Sequence, residues 1–155
     1  MVNDKIGVYV CHCGGNISDV VDVYKVVKAV QNFPNVAIAR EFMFMCSDQG
    51  QQMIEEDIKQ FGLNGVVVAS CSPHLHESTF RKAVARAGLN PFLFEHINIR
   101  EHSAWAHKHD PEGATEKAIR LVRSGIAKVS KAKALESIRI DMPPQILIIG
   151  AGIAG

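Results

Sequence analysis

An α/β fold, with a mostly parallel sheet of about four strands flanked by helices, follows from two observations on the 155-residue sequence. Short β-branched apolar runs recur along it, and stretches of helical period with cap residues at their ends separate those runs. The runs are KIGVYV at 5–10, VAIA at 36–39, GVVVAS at 65–70 and PFLFEHI at 91–97, and the first three read as buried strands. Between the first two, Val20, Val23, Val27 and Val30 mark one face behind Ser18 as N-cap, which predicts a helix over 19–31. Ser47 is placed to cap a second helix with Met53, Ile54, Ile58 and Phe61 on its face and Gly62 just past its end, where a left-handed residue is needed. Ser72 and Pro73 suit the N-cap and first position of a third, which carries Phe80, Ala83, Val84 and Ala87 inward and stops at Gly88. A fourth, over 115–135, sets Ile119, Val122, Ile126 and Val129 on one side and most of its basic residues on a solvated face.

Composition narrows the function classes. With 47% hydrophobic and 21% charged residues the chain can bury a core, which excludes a disordered segment. A net charge of +1 supplies no electrostatic footprint for nucleic acid. No apolar run approaches the roughly 20 residues of a membrane span, and the start MVNDKIGVYV lacks the pattern of an export signal. A soluble, cytoplasmic chain is expected.

Cys11, Cys13, Cys46 and Cys71 carry the chemistry. In such a compartment, cysteines point to metal binding or thiol chemistry rather than to disulfides. Cys11 and Cys13 follow the first strand, Cys46 comes shortly after the second and Cys71 ends the third. In a parallel sheet those positions share the edge formed by the strands' carboxyl ends, so they can converge despite their separation in sequence. Each also precedes a predicted helix N-terminus, where free N–H groups favour a thiolate. Gly14 and Gly15 permit a loop that folds tightly round an inorganic centre. Four thiolates complete the ligand set of an iron–sulfur cluster, and equally of a tetrahedral zinc. The single residue between Cys11 and Cys13 is tighter than zinc-knuckle spacing, which leans toward a cluster: 4Fe–4S as the first reading, with 2Fe–2S having the same ligand count. A thiol–disulfide couple, formed by Cys11 with Cys13 or by Cys46 with Cys71, and a zinc-stabilised interaction module stay open.

His12 is expected beside the cysteines rather than as a ligand, since a neighbour of two ligands cannot easily aim at the same metal. His74 and His76 read as the polar start of a helix, and His96, His102, His107 and His109 as loop and interface residues. Met43, Phe44 and Met45 are expected to pack around the centre or an interface. At the far end, QILIIGAGIAG at 145–155 reads as a strand entering a Gly-rich turn, with Gly150, Gly152 and Gly155 spaced to let backbone approach a pyrophosphate. The helix and the ribose-binding acid that would complete such a site are absent, so tight flavin binding is not expected of this chain. Residues 136–144, ending in Pro143 and Pro144, read as a linker.

Five stretches, GVYVCHCGGNI at 7–17, MCSDQGQ at 45–51, VVVASCSPHLHESTFR at 66–81, NIREHSAWAH at 98–107 and GAGIAG at 150–155, together resemble the N-terminal region of the heterodisulfide reductase A subunit. The resemblance implies an α/β iron–sulfur-binding domain over 1–135, a linker over 136–144 and a truncated start of a FAD-binding Rossmann-like domain over 145–155. It also implies that the cysteines at 11, 13, 46 and 71 hold the cluster. The parent would be an iron–sulfur flavoprotein oxidoreductase of an electron-bifurcating or electron-confurcating complex, with FAD in the full-length protein only. Its implied partners are the B and C subunits of heterodisulfide reductase and a hydrogenase or formate dehydrogenase module. In methanogenesis the acceptor is the heterodisulfide of coenzymes M and B. The chain itself would be an electron-transfer module rather than a catalyst. Family members often carry a cysteine in the segment aligned with HSAWAH, where this chain has Ser103.

Overall fold

The computed structural model describes residues 4–136, 138–142, 144, 147, 150 and 152–153. Four strands, β1 (Ile6–Cys11), β2 (Val36–Phe42), β3 (Gly65–Ser70) and β4 (Phe94–Asn98), form one sheet in the order β2-β1-β3-β4, and every neighbouring pair is parallel. The helices are α1 (Val23–Val30), α2 (Asp48–Phe61), α3 (Pro73–Arg86) and α4 (Pro111–Val129). α1 packs with α4, and α2 packs with α3. β1 and β3 are buried at every position, which explains why they read as unbroken apolar runs rather than as alternating ones. The fourth apolar run is also a strand, with residues at 94, 96 and 98 buried.

The punctuation explains the helix ends. Ser47 accepts from the Gly50 N–H at 3.3 Å and Gly62 takes a left-handed φ of 61°, so α2 begins and ends where its cap residues place it. Ser72 and Pro73 open α3 in the same way. The first helix differs from expectation. Residues 17–21 form hydrogen-bonded turns that bury Ile17 and Val21, and α1 starts only at Val23, capped by Asp22, whose carboxylate accepts from the Lys25 N–H at 2.9 Å. Ser18 caps nothing there. The last helix starts earlier than expected, because Asp110 accepts from the Gly113 N–H at 2.9 Å and Pro111 supplies the first turn; it ends at Val129.

The strand order reverses between β1 and β3: the chain leaves β1 toward β2 and returns on the other side. The carboxyl ends of β1 and β3 therefore flank the crevice at which open α/β sheets receive ligands. Among the described residues no helix is long and apolar enough to cross a membrane.

Candidate functional site

Cys11, Cys13, Cys46 and Cys71 line one cavity of about 50 Å³ at that crevice, together with Phe44, Ser70, His76, Phe80 and Arg100. The loop after β1 is shaped for this. Cys13, Gly14 and Gly15 have φ of 54°, 58° and 99°, three successive left-handed residues that reverse the chain within one short turn. A Cβ on Gly14 would stand 2.8 Å from the ring of Phe44, so the glycine lets the β1 loop and the β2 loop close on each other.

Backbone N–H groups are directed at sulfur. Cys11 Sγ accepts from the N–H of Cys13 at 3.3 Å and from that of Met45 at 3.4 Å. Arg100 Nη1 donates to Cys13 Sγ at 3.4 Å. Burial pushes the Cys11 thiol up to about 11, because a thiolate there would lose water, and the two N–H donors only partly offset this. Burial raises Cys46 and Cys71 as well, with the Arg100 charge pulling Cys71 back. None of these three has the depressed pKa that makes a thiol a fast exchanging nucleophile. A bound metal would reverse this, since coordination deprotonates a thiol outright.

All four cysteines are free thiols. Among the described residues no group of three or more His, Cys, Asp or Glu side chains is placed to hold a single metal ion. The four cysteines line one space, and that cavity is several times the ~15 Å³ that one water needs.

The histidines separate. His12 is buried, paired with Glu41 at 2.6 Å and edge-on to Tyr24, beside the cavity and not among its lining. His76 lines the cavity, whereas His74 is exposed. His96 is not a loop residue: it lies within β4, 7% exposed, with Nε2 at 2.6 Å from Ser70 Oγ. Its place in an interior-facing register buries it, and burial lowers its pKa to about 4. Ser103 is fully buried, and its hydroxyl donates to the Ala114 carbonyl at 2.6 Å, so it faces α4 and takes no part in lining the cavity. Met45 is buried against the core, while Met43 and Phe44 are each 48% exposed at the site's rim.

Arg100 falls within the stretch NIREHSAWAH but is not among the candidate site residues that the sequence marks. The available signal is its place just after a fourth apolar run, since any residue there reaches the same sheet edge as the cysteines. Of the Gly-rich end, Gly150 has a φ of 105°, and among the described residues neither it nor Gly152 has a neighbour close enough to meet an added Cβ. Gly155 and most of the expected strand lie outside the described residues.

No family model matches the chain. It is 52% identical over 97% of its length to the second of two iron–sulfur A subunits of CoB–CoM heterodisulfide reductase from Methanopyrus kandleri. To the A subunit of the H(2):CoB-CoM heterodisulfide,ferredoxin reductase of Methanothermobacter marburgensis it is 54% identical over 100% of its length. To the A subunit of the H(2)/formate:CoB-CoM heterodisulfide,ferredoxin reductase of Methanococcus maripaludis it is 42% identical over 100%. The chain spans about a quarter of these relatives, 23%, 24% and 24% of their lengths. Sequence identity near one half over essentially the whole chain places it in the family of heterodisulfide reductase A subunits, as the counterpart of their N-terminal region.

Proposed function

We propose that this chain is an electron-transfer module that holds one iron–sulfur cluster, 4Fe–4S in the first instance, on Cys11, Cys13, Cys46 and Cys71. The observation that carries the reading is that four cysteines line one cavity at the crevice between β1 and β3. In a 4Fe–4S cluster each thiolate binds a separate iron, so the four stand further apart than the ligands of one ion, which suits cysteines that line one cavity without forming a single-ion group among the described residues. The N–H groups of Cys13 and Met45 and the guanidinium of Arg100 supply the hydrogen bonds to sulfur that tune such centres. When bound, the cluster supplies one-electron redox chemistry. The protein's own contribution is to fix the sulfurs, hold donors against them and keep water off the buried side, where Cys11 and Cys71 are 3% and 6% exposed.

On this reading residues 1–135 are the cluster-binding unit, 136–144 a linker and 145–155 the opening of a FAD-binding domain. In a longer protein like its relatives, the module passes single electrons between that flavin and other clusters. The names of the relatives support a redox complex with ferredoxin, and with H2 or formate as electron source. Partners corresponding to the B and C subunits of heterodisulfide reductase and to a hydrogenase or formate dehydrogenase follow from the same reading, as does a cytoplasmic location.

Anaerobic reconstitution of the chain with iron and sulfide tests the proposal. A brown protein is expected, with about four irons and four sulfides per chain and an EPR signal on reduction. Replacing any of the four cysteines by alanine is expected to lower the iron content by more than half. A chain that stays colourless and free of iron overturns the reading; zinc bound at one per chain would favour a mononuclear site instead.

A further inference from the structure

One cavity-lining side chain is a cation that stands outside the ligand set. Arg100 follows β4 and opens a turn of π-helix, Arg100–Ala104, a geometry that concentrates at functional sites. The turn is pinned by the Asn98 carboxamide oxygen, which accepts from the Glu101 N–H at 3.0 Å. The guanidinium is held on three sides. Nη2 donates to Glu101 at 2.8 Å, the plane lies 4.5 Å from the centroid of the Trp105 ring, and Nη1 donates to Cys13 Sγ at 3.4 Å. Its side chain is 16% exposed, and its Nε is buried without a partner among the described residues. A buried donor left unpaired destabilises a fold, and the neighbouring Glu101 Oε2 is buried and unpaired among the described residues as well. Arg100 lines the cavity, so a group bound there has this polar, charged side chain against it.

We propose that Arg100 sets the reduction potential of the centre: it donates to the Cys13 sulfur and to acceptor atoms of the bound cluster, and its charge favours the reduced, more negative form. This rests on the cluster reading above. An added electron makes the centre more negative, so a fixed cation and an N–H donor beside it both raise the potential. Removing Arg100 also leaves its ion-pair partner, the Glu101 carboxylate, uncompensated next to it, and an added negative charge acts in the same direction. The role is one of positioning and electrostatics; Arg100 is not a ligand.

The test is an EPR-monitored redox titration of the full chain after anaerobic reconstitution, with iron and sulfide measured first. Arg100→Gln and Arg100→Lys are compared with the parent and with Arg123→Gln. Arg123 stacks over Phe33 just ahead of β2, so its loss changes net charge equally but at the opposite sheet edge. Arg100→Gln is expected to load the cluster and to show about a tenfold lower reduced-to-oxidised ratio at the parent's midpoint, about 59 mV for one electron. Arg100→Lys, which keeps the charge and loses the fork, is expected to fall between; Arg123→Gln is expected to match the parent. If Arg100→Gln loads no cluster, the lysine variant's midpoint decides. Loaded Arg100 variants with the parent's midpoint, or an equal shift from Arg123→Gln, overturn the role of Arg100 and leave the cluster reading standing. Loss of the cluster from both Arg100 variants assigns Arg100 to structure and overturns the proposal as well. A parent chain that takes up neither iron nor sulfide removes both readings together.

Discussion

Cys11 and Met45 are joined across the sheet edge, with the Met45 N–H donating to Cys11 Sγ at 3.4 Å. One sulfur thus ties the end of β1 to the loop after β2, and it sits 3% exposed beneath that loop. Cys13 and Cys46, by contrast, are partly exposed.

This difference predicts an order of thiol reactivity in the reduced chain before cluster loading. Iodoacetamide at neutral pH is expected to modify Cys13 and Cys46 first and Cys11 about tenfold more slowly, because a buried thiol held up near 11 offers little thiolate. Peptide mass spectrometry over a time course reads the order. Equal rates at all four would show that the loop over Cys11 opens freely.

His96 makes stability depend on pH. The ring is buried and neutral, with its pKa lowered from 6.5 to about 4. Above the unfolded value the folded chain suffers no penalty. As pH falls through the window from 6.5 toward 4, the unfolded chain takes up a proton that the folded one refuses, and stability drops by up to about 3 kcal/mol. Urea denaturation of the unloaded chain across this range is expected to show the loss, and His96→Gln to flatten it. A wild-type profile with no slope in that window would contradict the buried neutral ring.

Asp57 anchors a polar contact between α2 and the sheet. Tyr9 and Arg40 are register partners on β1 and β2. The Tyr9 hydroxyl donates to Asp57 Oδ2 at 3.2 Å, and Arg40 Nε and Nη2 reach its two oxygens at 2.8 and 3.1 Å. The carboxylate side chain is 4% exposed, while that of Arg40 is 41% exposed. Arg40→Ala is therefore expected to cost about 2 kcal/mol, set by the buried charge left behind and reduced by the water that reaches Arg40. Asp57→Asn, which keeps the shape and removes the charge, is expected to cost less. Denaturation midpoints of the two variants give the comparison, and a neutral Arg40→Ala would show that water replaces the guanidinium.

Ser103 stands where the family resemblance leads one to expect a cysteine, and it donates to the Ala114 carbonyl from a fully buried position. Ser103→Ala is expected to lower stability by about 1 kcal/mol through the lost buried hydrogen bond, while leaving iron content after reconstitution unchanged. A fall in iron at unchanged stability would place Ser103 in the centre after all.

Much of this protein is legible in local pattern. Apolar β-branched runs announce the strands, and Ser47, Gly62, Ser72 and Pro73 mark helix ends where the structure has them, because period and caps are encoded within a few neighbouring residues. The first helix shows the limit of such a window. Valine spacing continues through 20 and 21, but burial of Ile17 and Val21 in a turn favours Asp22 over Ser18 as the cap. The placement of four cysteines after three successive strands is likewise sufficient to bring them to one edge, given only that the sheet is parallel.

The sequence by itself determined the element types, the parallel sheet and the edge at which the thiols meet. Only the tertiary structure decided which other side chains join them. Arg100 reaches Cys13 across 87 positions because β4 lies beside β3 and ends at the same edge, whereas Ser103, three residues later, turns away to α4. His96 is interior because of its register opposite Val68 in β3. Strand order and register are set by the burial of whole faces against one another, a sum over long-range contacts that no local window contains, and the partners of a buried polar group follow from that sum.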